Sequence, residues 1–180
     1  EAVLNATRFN REAVTTMDLE EAKDKIIMGG AERRSMIISE KQKRMTAYHE
    51  AGHALVAYMI PEADPLHKIS IIPRGPALGV TVQIPEEDNY NWSRPDAEAR
   101  VAIIMGGRCA EALFLNTASS GCSNDFEKAT EIAHKMVLRW GMGEGRVPRV
   151  FGESTEQPFL GMSLTRQERY SEKTAQQLDE

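Results

Sequence analysis

Cysteine is scarce in this chain. The two present, Cys109 and Cys122, form no CxxC pair and are too few for a stapled framework, which excludes a disulfide scaffold and points to a reducing compartment. An excess of charge of one sign is lacking too. Lys and Arg number 22 against 27 Asp and Glu, a net charge of −5, so there is no electrostatic footprint for a phosphate backbone and nucleic acid is not an expected partner. Long apolar runs are missing: the stretches Ala54 to Ile60 and Val101 to Met105 fall far short of the roughly 20 residues that span a bilayer. Nothing in these residues reads as a membrane helix or a signal peptide. Internal repeats and low-complexity tracts are also absent, so organisation must be read from periodicity and breakers.

What is present is enough for a real core. A chain of 180 residues, 41% hydrophobic and 27% charged, suits one medium domain with room for a fragment of a second, and disorder is not expected. Glu1 to Asn10 reads as the tail of a helix. Thr16 opens another, with Leu19, Ala22 and Ile26 at helical spacing up to Gly29-Gly30, where the charged Glu32-Arg33-Arg34 marks a plausible boundary. Ser39-Glu40-Lys41-Gln42 has the form of a capping box, and the helix it starts can run to Met59 before Pro61 stops it. The short β-branched stretches Lys68 to Ile72 and Leu78 to Val82 flank Pro73-Arg74-Gly75-Pro76 and predict a small hairpin or ribbon. After a polar loop from Pro85 to Trp92, helical spacing runs from Pro95 through Leu115, with a break or bend expected at Gly106-Gly107. Ser123 can cap a further helix, with Phe126, Ala129, Ala133, Met136, Val137 and Trp140 on its apolar side, ending at Gly141. A loop from Gly143 to Gly161 leads to a last capping box, Thr165 with Glu168. The expected fold class is mainly α with one small β element.

The sharpest chemical signal is His49-Glu50-Ala51-Gly52-His53 on the long helix. Histidines at i and i+4 share a face one turn apart, so both imidazoles can reach one zinc ion, with the intervening glutamate placed to reach a water at that metal. Shuffling a chain of this composition would give an HExxH roughly once in a hundred times, and its place on a predicted helix narrows that further. A catalytic zinc also needs a third protein ligand. The metzincin extension would put Gly at position 56 and His at 59; Val56 and Met59 stand there. His67, Glu98, Glu111, Asp125 and His134 are the downstream candidates. On the helix after Ser123, His134 points away from the apolar stripe, whereas Asp125 shares a side with Ala129, Ile132 and Met136. A carboxylate at that margin needs a partner, and either a metal or the helix N-terminal dipole would serve. Glu111, a helical glutamate downstream of the motif, competes with it. On these arguments alone the third ligand stays open.

Five blocks carry a family resemblance: Thr46 to Leu55 around the HExxH; His67 to Gly75; Leu78-Gly79-Val80-Thr81; Gly106-Gly107-Arg108 with Ala110-Glu111; and Ser123-Asn124-Asp125 with Ala129-Thr130. In order and over nearly the whole chain they resemble the peptidase domain of FtsH-type ATP-dependent zinc proteases of the AAA protease class. Residues 1–34 resemble the end of the family's AAA ATPase module and its linker, leaving 35–180 as a zinc metallopeptidase domain cut short at its C-terminus. The resemblance implies a helical zinc-peptidase domain with one Zn²⁺ per chain, held by His49, His53 and Asp125, with Glu50 catalytic and Glu111 in a supporting role. Separately from the resemblance, the strand containing Leu78, Gly79, Val80 and Thr81 is expected to bind an extended substrate if it lies at an edge near the HExxH helix, though one half of a stabilising hairpin explains that strand equally well. The resemblance further implies polypeptide substrates, unfolded or membrane proteins among them, a homo-hexamer, and a membrane-anchored protein with this domain on the cytoplasmic side. No GxxxxGK[ST] occurs, so ATP and Mg²⁺ would belong to a module outside these residues. Pro76, Cys122 and Ala112 depart from the family pattern, and none touches the implied ligand set. A buried, inert thiol is the expected state of Cys122. The rival reading from another class is a non-catalytic ring-assembly module, against which the intact His49, Glu50, His53 and Asp125 argue.

Overall fold

The structure is a computed structural model and describes residues 1–29, 32–33, 35–75, 77–87 and 90–143. The expected loop to Gly161, the capping box at Thr165 and the departure at Pro76 lie outside these residues. Among those described are five α-helices, a short 3₁₀ turn and one two-stranded antiparallel sheet, the mainly α class that the pattern predicts.

Helix α1, Ala2–Arg8, falls in the stretch read as helical, and α2, Thr16–Ile27, follows it. The cap of α2 falls one residue earlier than the pattern suggests. The Thr15 hydroxyl accepts from the Asp18 amide, and the Thr15 amide in turn donates to the Asp18 carboxylate at 2.9 Å. Asp18 is fully buried and ion-paired with Arg11, so its charge is compensated from both sides. Hydrogen bonding from the Thr15 hydroxyl and amide holds the Asp18 carboxyl below the ordinary range.

Helix α3, Glu40–Met59, has the bounds that Ser39 and Pro61 dictate, although only half of the expected box forms: Ser39 accepts from the Gln42 amide at 3.2 Å, while the Gln42 side chain reaches the Ser39 hydroxyl. Helix α4, Arg94–Leu115, carries a complete capping box between Ser93 and Asp96 and stops at Asn116 in the left-handed region, a conformation asparagine tolerates better than most residues. Of the break or bend expected at Gly106-Gly107, the break does not occur: α4 runs through both glycines as one helix. The glycines serve approach instead. A Cβ on Gly106 would lie 2.7 Å from the Gly52 carbonyl oxygen, and one on Gly52 would collide with the Gly106 carbonyl. With Ala54, Ala57, Ala99, Ile103 and Ala110 buried around this crossing, α3 and α4 pack backbone to backbone, and small residues make that possible.

Strands β1, Leu66–Ser70, and β2, Val80–Gln83, form the expected ribbon. Ser70 pairs with Val80, Ile69 with Thr81 and Lys68 with Val82, and a register irregularity falls between Leu66 and Lys68. Both strands are displaced from the predicted spans. Leu78 and Gly79 precede β2, because Gly79 lies against the side chains of Thr46 and Glu50 on α3 and so packs on the helix instead of pairing. The ribbon is tied back to the N-terminal segment by a Lys68–Asp24 ion pair, by the Arg33 amide donating to the Pro73 carbonyl at 2.8 Å, and by Arg74 paired with Glu32 at 2.6 Å.

The 3₁₀ turn Ser120–Cys122 leads into α5, Ser123–Leu138. Ser123 is the first helical residue and not the cap; Cys122 holds the cap position without a side-chain bond, and Ser119 caps the turn. Phe126 and Ala133, expected on the buried stripe, are exposed. The inward side is instead the one bearing Asp125, Ala129, Ile132 and Met136, because α5 is oriented by its first turn against α4 and not by its bulkiest residues. No described helix is long and apolar enough to cross a membrane.

Candidate metal centre

The crossing of α3 and α4 places two imidazoles over a glycine. A Cβ on Gly107 would meet His53 Nε2 at 2.6 Å and His49 Cε1 at 2.7 Å, so the rings lie directly against the α4 backbone. They meet edge to face, with their Nε2 atoms 3.0 Å apart. Each ring is fixed through its other nitrogen. His49 Nδ1 is 2.9 Å from Glu111 Oε1, and His53 Nδ1 is 2.8 Å from the Ile103 carbonyl. Both partners are acceptors, which assigns the proton of each ring to Nδ1 and leaves the Nε2 lone pairs facing each other. The Gly107 amide, 3.3 Å from His53 Nδ1, is then a packing contact.

From α5, Asp125 closes the triangle. Its Oδ2 lies 3.2 Å from His49 Nε2 and 3.5 Å from His53 Nε2, and among the described residues it is a buried oxygen without a hydrogen-bond partner. Two facing lone pairs and an orphaned carboxylate oxygen repel one another unless a cation lies among them. The edge lengths fit that cation. Ligands at 2.0–2.1 Å in a tetrahedral shell stand about 3.3 Å apart, against the 3.0, 3.2 and 3.5 Å found here. Two histidines and an aspartate form a donor set suited to zinc that leaves a fourth position open.

The charges at this crossing act on one another through the same short contacts. Burial works against a charged His49, yet Asp125 and then Glu111 outweigh it and push the imidazole above its ordinary range. Asp125 is likewise disfavoured as an anion by burial, but the two imidazoles hold it well below the usual carboxylate range. Glu111 is almost fully buried. Burial opposes its charge, but the Ser119 hydroxyl and amide, 2.9 and 2.8 Å away, together with His49 hold its carboxyl low. Its contacts are those of a carboxylate that orients a ligand. Cys122 is buried with Sγ 3.9 Å from His49 Nδ1, and burial followed by the Glu111 charge pushes its thiol up. His49, Glu111 and Cys122 thus make a second close group, but its imidazole nitrogen is already engaged by Glu111.

Glu50 is buried one residue after His49, with Thr81 Oγ1 2.7 Å from Glu50 Oε2. Of the sequence candidates, His49, His53 and Asp125 converge, Glu111 contacts His49, and Thr81 contacts Glu50 beside them. His67 and His134 are exposed on β1 and α5, and Glu98 is paired with Arg94 on the surface of α4. Sequence reasoning missed the Thr81 contact, because a strand pattern gives the face of a side chain but not the helix beneath it.

Comparison with known proteins identifies the family. The family model described as Peptidase family M41 matches residues 36–180. The "ATP-dependent zinc metalloprotease FtsH" of Acidobacterium capsulatum is 51% identical over 179 residues, covering 99% of this chain and 28% of that protein. The proteins of the same name from Myxococcus xanthus and Pelobacter propionicus are 52% and 50% identical, over 99% and 100% of this chain and 28% and 29% of their own lengths. The chain therefore spans less than a third of these relatives.

Proposed function

Since this chain belongs to peptidase family M41, we propose that it is the zinc metalloendopeptidase part of an ATP-dependent protease, hydrolysing peptide bonds in unfolded polypeptides. The observation that carries this reading is the convergence of His49 Nε2, His53 Nε2 and Asp125 Oδ2, the last buried and without a hydrogen-bond partner. These three would hold one Zn²⁺, with Glu111 and the Ile103 carbonyl fixing the two rings. The ion supplies Lewis acidity, polarising a scissile carbonyl and making water acidic enough to react near neutral pH.

The remaining chemistry falls to the chain. Glu50 takes a proton from the attacking water and passes it to the departing amine, so no covalent enzyme intermediate is needed. In this reading the segment Leu78 to Thr81, which contacts Glu50 through Gly79 and Thr81, binds an extended substrate through main-chain hydrogen bonds, which gives loose sequence selectivity. We assign residues 1–34 to the end of an ATPase module. Hexamer formation, membrane anchoring with this domain on the cytoplasmic side, and unfolding driven by ATP and Mg²⁺ belong to the longer protein in this reading. The isolated chain is then expected to act on already unfolded substrates only.

The test is cleavage of casein by the purified chain carrying one zinc. Cleavage should stop when a chelator strips the metal, and E50Q should keep its zinc but lose cleavage. Undiminished turnover by E50Q would overturn the role of Glu50. A metal-loaded wild type that cleaves nothing would leave the ring-assembly reading in its place.

A further inference from the structure

The catalytic glutamate of the proposed mechanism is held by more than its own helix. Glu50 is buried, and a buried carboxylate is costly unless donors meet it. Thr81 Oγ1 approaches two of its oxygens, the carboxylate Oε2 at 2.7 Å and the main-chain carbonyl at 3.1 Å. A hydroxyl has one proton to give, and the shorter contact with the charged acceptor takes it. Two residues earlier the chain passes so close that a Cβ on Gly79 would stand 2.7 Å from Glu50 Oε1 and 2.8 Å from its Cγ. One carboxylate oxygen is therefore hydrogen-bonded by β2 while the other is confined by the bare backbone leading into it. Pairing of Ile69 with Thr81 fixes the height of that hydroxyl.

We propose that Thr81 is a positioning residue: its hydroxyl sets the rotamer of Glu50, so that the carboxylate is aimed at the reacting water before substrate arrives. This rests on the reading of Glu50 as the proton carrier. It separates two roles within one segment. In the proposed reading a substrate strand pairs with the edge of β2 turned away from β1, whereas the Thr81 side chain is committed inward. Loss of the hydroxyl should then slow the chemical step without weakening substrate binding.

The experiment compares wild type, T81V, T81S and E50Q as the full 180-residue chain on a fluorogenic peptide, with elemental analysis for zinc and a crystal structure of T81V. Valine keeps the β-branched shape and strand preference of threonine. T81V is expected to lose about tenfold or more in kcat, in line with removal of a hydrogen bond to a charged group, with KM changed by less than roughly twofold. It should hold one zinc, and its Glu50 carboxylate should have turned from the wild-type position. T81S should restore most of the rate. Wild-type kcat in T81V, a defect confined to KM, loss of zinc, an unmoved Glu50, or a T81S as slow as T81V would each overturn the assignment. Turnover by wild type with an unimpaired T81V sinks this assignment alone; no turnover by zinc-loaded wild type sinks the peptidase reading and this assignment with it.

Discussion

At the scale of single residues, the site depends on what is missing from Gly107 as much as on what His49, His53 and Asp125 contribute. A methyl group there would meet one imidazole nitrogen at 2.6 Å and the other ring at 2.7 Å. Alanine is otherwise the better helix former by about 1 kcal/mol, but a methyl at 107 meets two rings that Glu111 and the Ile103 carbonyl hold in place, and overpacking of that kind costs about 1–3 kcal/mol. We expect G107A to keep its helical content with a lowered melting temperature, while zinc affinity, measured by competition with a chromogenic chelator, falls by about 10- to 100-fold, the size of effect seen when the surroundings of a ligand are disturbed. The histidine pair was legible from the sequence because i, i+4 spacing is a geometric statement. Asp125 was only half legible: its place on the helix margin could be read, but its partner lay on a helix more than 70 residues away. Thr81 was not legible in its inward role at all.

At the scale of elements, the decisive contact is α3 against α4. Its packing surface is built from Gly52, Gly106 and small side chains, and this closeness brings the Ile103 carbonyl to His53 and Glu111 to His49. G52A would drive a methyl into the Gly106 carbonyl, and backbone cannot turn aside as a side chain can. Overpacking of this kind costs about 1–3 kcal/mol, which the gain in helix propensity does not offset. Urea denaturation should show a lower midpoint for G52A, and zinc affinity should fall with it, because both histidine anchors lie across the same seam. The bounds of α3 were legible because Ser39 and Pro61 are chemical punctuation. The glycines were visible too, yet Gly106-Gly107 suggested a break that does not occur, since in sequence a glycine kept for close approach looks the same as one kept for flexibility. The buried side of α5 was misread for a related reason: counting large apolar residues favours Phe126, while the fold chooses the side from which Asp125 can reach α3.

At the scale of the whole molecule, the proposed zinc would join residues 49, 53 and 125, contributed by helices well apart along the chain. A ligand that binds only the folded state stabilises it by about 2.7 kcal/mol at a hundredfold excess over its dissociation constant. Stripping the protein with a chelator should therefore lower its melting temperature, and readdition should raise it in proportion to the logarithm of free zinc. D125A should abolish that response while leaving the metal-free protein folded. An unchanged melting temperature on adding zinc to wild type would contradict the proposed centre. The large-scale class, mainly helical with one ribbon, was legible from the order of patterns alone; the ties from Asp24 and Glu32 back to Lys68 and Arg74 were not, because ion pairs between distant segments leave no periodic trace.

Glu111 grips two parts of the chain at once, His49 through Oε1 and the Ser119 amide through Oε2, and Ser119 opens the turn from which α5 departs. The short connection after α4 is thus gauged against the first imidazole as well as against the helix that delivers the aspartate. Inserting even one residue between 116 and 122 would throw out both settings together, so this stretch should be among the least forgiving places in the molecule to lengthen, surface loop though it is.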